Sequence, residues 1–428
     1  MTWLFLFVSL IGAWLTYNAY RPTFAPPRRA TISFFAGWLT TELALHHIAW
    51  QLVMTLIFIR VGALAAWPGK LGMLVTLISW AGLWRCYWRA SETEGVVERA
   101  LCDRLGAGYR AEIAPTISAQ FAPAVDWKQI LLPFPQRHPE VERIRDIQFT
   151  RAAGINLKLD VYRHRSRRTD CPTLLQIHGG GWVIGSKNEQ GLPLMLQMAA
   201  RGWVCVSADY RLSPHATFPE HLIDLKRAIQ WIREHGAEYG ANPDFIVVTG
   251  GSAGGHLAAL VALTANDPEY QPGFELIDTS VQGCVPFYGV YDFTDRHGVS
   301  HHDALAELLE QRVMKASLSE APAAYEKASP MSRVHADAPP FFLLHGDLDT
   351  LVPVAEARHF VETLRAHTRA PVAYAEIPGA QHAFELFPSL RTAFAIHGVE
   401  RFLSYVYSKH LQSQRADDRG ADMRSAAG

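Results

Sequence analysis

The sequence predicts an α/β fold in which a mostly parallel, eight-stranded sheet is flanked by helices and preceded by a membrane-spanning region. Short β-branched and apolar runs alternate with helical patterns from about residue 143 onward, an alternation typical of parallel sheets. Several of these runs end directly in loops rich in glycine, aspartate or histidine. No charged side chain occurs between Thr2 and Tyr20, which predicts a helix able to cross a bilayer. The predicted strands are at residues 144–150, 155–162, 173–178, 204–209, 245–249, 281–288, 341–345 and 372–377.

The composition indicates one large domain and an additional segment. The chain has 428 residues, of which 49% are hydrophobic, and a formal net charge of −1. It can therefore bury a large core, and it offers no electrostatic attraction for nucleic acid. Its five cysteines are odd in number and lack C-x-x-C spacing, which argues against a disulfide framework or a zinc site. We expect reduced thiols.

Three apolar segments predict about three transmembrane helices, at residues 2–20, 43–59 and 71–84. The first segment has no basic start and no clear small-residue cleavage site, so we interpret it as a retained helix and not as a signal peptide. The third segment is short, but basic and aromatic residues flank it as interface anchors.

Basic residues predict the orientation of these helices. Arg21, Arg28 and Arg29 fill the first connection, whereas Arg60 and Lys70 alone flank the second, and further arginines follow the third segment. The positive-inside rule then places the N-terminus outside, the first connection inside and the α/β domain in the cytoplasm. If the third segment only lies in the membrane interface, the side of the α/β domain is reversed. We therefore expect an integral protein of the inner or cell membrane.

The chain divides into four parts. Residues 1–90 are predicted to form the transmembrane region. Residues 91–142, charged and then proline-rich, are predicted to be a linker with some helix, or part of a cap. Residues 143–410 form the α/β domain, in which residues 292–334 interrupt the alternation and are a candidate helical lid. Residues 411–428 are polar and lack periodicity, which predicts a disordered tail.

A nucleophile is predicted where the apolar run FIVVT, ending at Thr249, meets the sequence GGSAGG at residues 250–255. A helix-forming run follows directly. A strand that turns sharply into a helix around G-x-S-x-G exposes the serine hydroxyl at the edge of a sheet, because glycines permit the strained turn. Ser252 is therefore the candidate nucleophile, although a Gly-Ser loop alone is often a plain turn.

Acid and base candidates follow Ser252 along the chain, in the order that this arrangement requires. The apolar run at residues 340–344 ends in a loop that contains Asp347 and Asp349. The next predicted strand leads to His382. The ends of neighbouring parallel strands meet at one edge of a sheet, so His382 is placed to act as general base and acid, with a carboxylate to orient its ring.

Three consecutive glycines, Gly179, Gly180 and Gly181, follow the strand at residues 173–178. Their backbone can approach a substrate closely and donate N–H groups to a developing oxyanion. A phosphate-binding turn is the alternative, but no Lys-Ser/Thr pair follows at P-loop spacing.

The chain at this point resembles the hormone-sensitive-lipase-like branch of the α/β-hydrolase superfamily, a group of carboxylesterases and lipases. The resemblance covers residues 145–405 through HGGGW at 178–182, DYRLSP at 209–214, GGSAGG at 250–255, HGDLDTLVP at 345–353 and QHAF at 381–384. It implies the α/β-hydrolase fold, with Asp349 and not Asp347 as the acid. It also implies oxyanion donors at the backbone of Gly180, Gly181 and Ala253, in a loop shaped by His178 and Gly179.

Two positions depart from that branch. Many of its members have an acidic residue before the serine and an amide after the glycines, where this chain has Gly251 and His256. The motif in this form also resembles those of feruloyl-esterase-like, formamidase-like and prenylcysteine-methylesterase-like hydrolases, so it does not select the acyl group. His256 lies one helical turn past Ser252, where we interpret it as a packed structural residue.

These features together predict a membrane-anchored serine esterase or lipase that acts on hydrophobic acyl esters through an acyl-enzyme. An acyltransferase or deacetylase, or a formamidase-like amide hydrolase, would use the same triad, and a non-catalytic membrane scaffold is disfavoured by the intact site. No cofactor or metal is expected, since the pairs His46-His47 and His301-His302 are adjacent and point in different directions on a helix. The expected partners are a small-molecule or lipid ester and the membrane, and removal of residues 1–90 is expected to release a soluble, active hydrolase.

Overall fold

Four helices make up the N-terminal region of the computed structural model, which describes residues 1–121 and 125–426 and side chains as far as residue 416. These helices are α1 (Thr2–Tyr20), α2 (Pro27–Glu42), α3 (Ala44–Arg60) and α4 (Trp67–Leu105). The predicted segments at residues 2–20, 43–59 and 71–84 correspond to α1, α3 and the first half of α4. The predictions did not include α2, because its apolar residues share a segment with Arg28, Arg29 and Glu42.

Helices α1, α3 and the first half of α4 pack into a bundle through small and hydroxyl residues. Thr16 Oγ1 lies 2.7 Å from Ser79 Oγ, and Thr76 Oγ1 donates to Ser9 Oγ at 2.9 Å, so two hydroxyl pairs join α1 to α4. A Cβ atom added at Gly72 of α4 would lie 3.1 Å from the Cα atom of Leu6. The helices therefore approach closely at backbone level.

The polarity of α1 is inverted relative to a helix of a water-soluble protein. Its buried positions include Ser9, Thr16 and Asn18. Its most exposed side chains are instead aromatic, with Trp3 and Phe7 63% and 60% exposed. Such a helix places its polar groups in the bundle and its apolar groups on the outside.

By length and composition, α1 is the one helix of the described residues that could cross a bilayer alone. Helices α2 and α3 meet the same criterion only as a pair, which is bent by 90°. The first half of α4, expected as a third span, does not meet it. A single apolar helix near the N-terminus is also what a signal sequence or a buried core helix provides.

Helix α4 joins the bundle to the α/β domain without a break. Its 39 residues run through the predicted boundary at residue 90, and Val97 and Leu101 are fully buried against the sheet. The helix expected within the linker is thus the second half of α4, and no boundary falls at residue 90, because apolar residues four apart continue the buried face among the charged residues. Two short helices follow, α5 (Pro115–Ser118) and α6 (Trp127–Leu131).

The central sheet has the predicted eight strands in the order β1-β2-β4-β3-β5-β6-β7-β8. Strand β2 pairs antiparallel with both β1 and β4, and all other neighbours are parallel. The expected α/β fold with a mostly parallel sheet is confirmed. The strands are β1 (Val141–Ala152), β2 (Ile155–His164), β3 (Cys171–Ile177), β4 (Val204–Ala208), β5 (Ala241–Gly251), β6 (Gly283–Phe287), β7 (Phe341–Gly346) and β8 (Val372–Ile377).

Helices cover both faces of the sheet. The remaining ones are α7 (Leu192–Ala200), α8 (Glu220–His235), α9 (Ala253–Leu263), α10 (Ala304–Leu308), α11 (Pro322–Ala328), α12 (Val354–His367) and α13 (Leu390–Ala426). Side chains of α8, α9 and α12 pack in one core, and those of α4, α7 and α13 pack in the other. Successive residues of a strand serve different cores, as Leu174 and Leu175 of β3 do. The N-terminal region thus contributes directly to one hydrophobic core.

Two peripheral segments complete the fold. The predicted lid at residues 292–334 is a helical insertion between β6 and β7 that contains α10, a π-helical turn (Leu309–Val313) and α11. The prediction of a disordered tail from residue 411 is wrong for the described residues, because α13 continues to Ala426. Its last part lacks proline and contains several good helix formers, so nothing in the sequence ends the helix earlier.

Candidate active site

Ser252 lies at the sharp turn between β5 and α9. Its backbone angles are φ 59° and ψ −124°, a conformation that non-glycine residues seldom adopt. Its N–H donates to Phe287 O at 3.0 Å, and its carbonyl accepts from His256 N at 3.0 Å. A Cβ atom added at Gly250 would lie 2.5 Å from Ile177 O. The glycine therefore permits the close strand contact that holds this turn, and Ser252 stays partly exposed.

His382 and Asp349 form a buried pair at the carboxyl ends of β8 and β7. His382 Nδ1 lies 2.6 Å from Asp349 Oδ2, and the two residues are 5% and 2% exposed. The other carboxylate oxygen accepts hydrogen bonds from the N–H groups of Leu351 and Val352, both at 2.9 Å. Burial raises the pKa of Asp349, but the charge and hydrogen bonds of His382 and His345 outweigh burial and hold that pKa well below its usual range. Asp349 is thus a fixed anion that orients the imidazole ring.

Asp347 has a different set of partners. It accepts a hydrogen bond from Arg89 Nη2 of α4 at 2.9 Å and one from Gly379 N at 2.6 Å. Among the side-chain hydrogen bonds of the described residues, none joins Asp347 to His382. The structure therefore brings Asp349, and not Asp347, to the histidine.

The loops that carry Asp349 and His382 are tied together by Gln381. Its Oε1 atom accepts from Thr350 N at 2.8 Å and from His382 N at 3.0 Å. No hydrogen bond connects Ser252 Oγ to His382 Nε2 within the described part of the chain. Such bonds are often long in a free enzyme and shorten only when substrate is bound.

The glycine loop after β3 presents unpaired backbone N–H groups. Gly179 N donates to Gln190 Oε1 at 2.6 Å, whereas the N–H groups of Gly180, Gly181 and Ala253 have no protein acceptor among the described residues. Gly180 and Gly181 have φ angles of 111° and 58°, which lie in the region that favours glycine. The three donors are therefore free to bind a ligand.

Aromatic and histidine side chains pack against the glycine loop. His178 stacks on Tyr210 at a ring distance of 4.3 Å, and its Nδ1 atom lies 2.8 Å from Gly179 O. Trp182 Nε1 donates to His256 Nδ1 at 3.2 Å, and His256 Nε2 lies 2.8 Å from Ala328 O. Burial lowers the pKa of His256 to about 3. It is therefore a neutral, packed residue that connects the loop to the helical insertion.

The sequence did not predict the tyrosine that packs against His382. The ring of Tyr288 lies 4.5 Å from that of His382, and its hydroxyl donates to the buried carboxylate of Glu385. A Cβ atom added at Gly251 would lie 2.6 Å from the same hydroxyl. Tyr288 thus occupies the space that a side chain before Ser252 would need. The glycine at position 251, where many members of the family branch have an acidic residue, was the one sign in the sequence that another side chain fills this space.

Helix α2 was also missing from the predicted site. Trp38 Nε1 donates to Ala383 O at 2.8 Å, directly after His382, and the ring of Phe34 packs edge-to-face against His382 at 6.1 Å. Trp38 and Ala383 are 345 residues apart in the chain, and no local sequence pattern indicates a contact over such a distance. Removal of residues 1–90 would delete this wall of the site, so the expectation of an active truncated enzyme does not agree with the structure.

The described residues contain no group of three or more histidine, cysteine or acidic side chains that could hold a metal ion. The five cysteines are free, and four of them are buried.

Comparisons with known proteins indicate the family of the chain. Residues 159–364 match the BD-FAE family model. The chain is 40% identical to the probable carboxylic ester hydrolase LipM of Mycobacterium tuberculosis over 96% of this chain and 95% of LipM. It is 41% identical to esterase LipQ of the same organism, over 77% of this chain and 78% of LipQ. A truncated carbohydrate esterase from gut microbiota, 20% identical, has the same fold with a TM-score of 0.52 over 63% of this chain and 96% of that chain.

Proposed function

Because this chain belongs to the α/β-hydrolase carboxylesterases and is a carboxylic ester hydrolase, we propose that it cleaves hydrophobic acyl esters through a triad of Ser252, His382 and Asp349. The pair of His382 and Asp349 is the observation that carries this proposal. With its Nδ1–H directed at Asp349, the imidazole keeps the lone pair of Nε2 for the serine proton.

The reaction proceeds through an acyl-enzyme. Ser252 Oγ attacks the ester carbonyl as His382 takes its proton, and the N–H groups of Gly180, Gly181 and Ala253 bind the oxyanion. His382 then returns the proton to the leaving alcohol. A water molecule then attacks the acyl-enzyme as His382 takes its proton, and His382 gives that proton to Ser252 Oγ as the bond to the acyl group breaks, which releases the acid and the free serine. Apart from the substrate and water, each step uses only Ser252, His382, Asp349 and the backbone N–H donors.

The enzyme is an integral membrane protein in this proposal. Three features of the N-terminal bundle support a lipid environment: the polar inner face of α1, its apolar outer face and the close contacts at Gly12 and Gly72. The first connection, which carries arginines, lies toward the α/β domain, because Ala19 and Ala44 on either side of it pack with Leu83 of α4. The positive-inside rule therefore favours the cytoplasmic side of the cell membrane for this domain.

A fluorophosphonate label tests the nucleophile. Wild-type protein is expected to be labelled at Ser252, and Ser252→Ala to be unlabelled while keeping its thermal unfolding temperature. Ser319→Ala, at an exposed serine of the helical insertion, is the matched control and is expected to label normally. Labelling that persists in Ser252→Ala refutes the triad.

Reporter fusions test the membrane topology. A cytoplasmic reporter is expected to be active after Gly106, where α4 ends, and a periplasmic reporter at Ala65, in the connection between α3 and α4. The reverse pattern would place the active site on the other side of the membrane.

A further inference from the structure

Helix α2 connects two helices of the bundle at the end nearest the α/β domain. Ala19 at the end of α1 and Ala44 at the start of α3 pack in one cluster with Leu83 of α4. The segment between Ala19 and Ala44 must therefore lie at this end of the bundle. Because α2 and α3 meet at 90°, α2 runs across the bundle axis, along the plane in which a bilayer surface would lie.

One face of α2 covers the catalytic loops. Besides the contacts of Trp38 and Phe34 with the histidine loop, Thr350 Oγ1 donates to the carbonyl oxygen of Ala30 at 3.4 Å. Thr350 directly follows Asp349. The helix thus contacts the loop of the acid and the loop of the base.

The opposite face of α2 is apolar and exposed. Ile32, Phe35 and Leu39 are 56%, 53% and 36% exposed, and their i, i+3, i+7 spacing places them in one stripe. Arg28 and Arg29 are exposed in the first turn. An apolar stripe with basic residues beside it is the pattern of a helix that lies in the interface of an anionic membrane.

Aromatic rings connect this exposed face to the catalytic histidine. Phe35 packs on Phe34 at 4.9 Å, and Phe34 stacks on Trp38 at 5.4 Å. Trp38 stacks in turn on Phe387 at 5.0 Å, against which the exposed Phe134 packs at 5.4 Å. An apolar surface therefore runs from the outside of the protein to His382.

The other side of the site is also apolar. Leu308 of the insertion reaches to within 3.4 Å of the position that a Cβ atom on Gly181 would occupy, and Ile184 in the same loop is 68% exposed. The rings of Phe24, between α1 and α2, and His301 of the insertion lie 5.0 Å apart. The N-terminal region and the insertion thus meet beside the oxyanion loop.

We propose that α2 lies in the interfacial layer of the bilayer and forms the membrane-facing wall of the active site. The substrates are then lipid esters that move laterally to Ser252 along α2 while their hydrocarbon chains stay in contact with the membrane. This inference rests on the proposed membrane anchor and triad. It adds the route by which the substrate enters and the class of substrate. A route through lipid favours long acyl chains over short, water-soluble ones, because each additional methylene group makes transfer from water into the bilayer more favourable.

The test compares two substrates for the full-length enzyme in vesicles of phosphatidylcholine and phosphatidylglycerol. One substrate is p-nitrophenyl butyrate in the aqueous phase, and the other is a dioleoylglycerol present in the bilayer. Rates are divided by the amount of fluorophosphonate-reactive enzyme, which removes misfolded protein from the comparison.

Phe35→Gln and Ile32→Asn are expected to lower the ratio of bilayer to aqueous hydrolysis about tenfold. Ile78→Gln, at an apolar position of α4 that is 63% exposed, is the matched control and is expected to leave that ratio unchanged. Equal ratios in wild type and both α2 variants would overturn the inference, as would an equal fall in Ile78→Gln. Wild-type enzyme that is unreactive to the label and inactive on both esters would instead refute the proposed function itself.

Discussion

The buried ion pair of Glu42 and Arg391 fastens α2 to the α/β domain, and its removal should loosen the catalytic loops. Arg391 Nη1 donates to Glu42 Oε1, and Ser389 Oγ donates to Glu42 Oε2 at 2.7 Å. The two charged side chains are at most 1% exposed. Arg391 Nη2 also donates to Pro378 O at 3.2 Å, in the loop that leads to His382. The pair therefore links the end of α2 to both flanks of the histidine loop.

Loss of one partner leaves the other charge buried without compensation, which costs about 3–5 kcal/mol. For the full-length chain unfolding as one unit, with about 2.1 cal/mol/K of unfolding entropy per residue, that cost corresponds to a fall of about 3–6 °C in unfolding temperature. Replacing both partners by methionine removes both charges, so the double variant should recover most of the loss. We expect Arg391→Met and Glu42→Met to be strongly destabilised and to lose activity, and the double variant to be close to wild type in stability.

The assay is thermal unfolding of the full-length enzyme in detergent, followed by circular dichroism, with hydrolysis of p-nitrophenyl butyrate measured in parallel. Lys327→Met is the control, because Lys327 and Glu269 form an ion pair in which both side chains are nearly half exposed. Such a surface pair contributes at most about 1 kcal/mol. Additive effects of the two methionine substitutions, or single variants as stable as Lys327→Met, would refute the reasoning.

Two further predictions concern the catalytic loops. Asp349→Asn should lower kcat by about 10⁴-fold, because His382 loses the anion that orients its ring. Asp347→Asn should lower kcat less than tenfold. If steady-state assays show the reverse order, Asp347 and not Asp349 is the acid of the triad. Burial raises the pKa of Glu385 from 4.5 to about 7, although its hydrogen bond from Tyr288 opposes this. Because the carboxyl group of Glu385 has a higher pKa in the folded than in the unfolded protein, its contribution to stability is complete below pH 4.5 and is lost as the pH rises through 7. The free energy of unfolding should therefore fall by about 3 kcal/mol over this range because of this group. Urea titrations between about pH 4.5 and pH 8 should show a smaller fall in Glu385→Gln, and parallel curves would contradict the assignment.

The loops of the proposed triad could be predicted from the sequence because each follows a strand of a parallel sheet. Ser252, Asp349 and His382 are far apart in the chain, but the carboxyl ends of parallel strands lie at one edge. Strand pattern and loop composition therefore sufficed to bring them together. The choice between Asp347 and Asp349 depended on family spacing alone, and the structure adds its physical reason, since Arg89 and Gly379 engage Asp347.

The contribution of the N-terminal region could not be predicted in the same way. Apolar residues of α1 and α3 indicate helices, but nothing in a hydrophobic segment shows which other segment it contacts. In α2, Phe34 and Phe35 look equivalent in sequence, yet Phe34 is buried against His382 and Phe35 is exposed. The charged residues that suggested a linker after residue 90 occupy the outer face of α4, while its inner face extends one of the two cores.

The continuity of α4 explains why the N-terminal bundle and the α/β domain should be treated as one unit. A linker would let the two parts move independently, so that anchoring would affect only the location of the enzyme. Here α4 packs against α1 through Ser79 and against the sheet through Leu101, and α2 is fixed by Arg391. The position of the catalytic domain relative to the bundle is therefore set by packed helices. If the bundle lies in a bilayer, the same contacts fix the distance and direction of Ser252 from the lipid surface, which makes the anchor part of substrate selection.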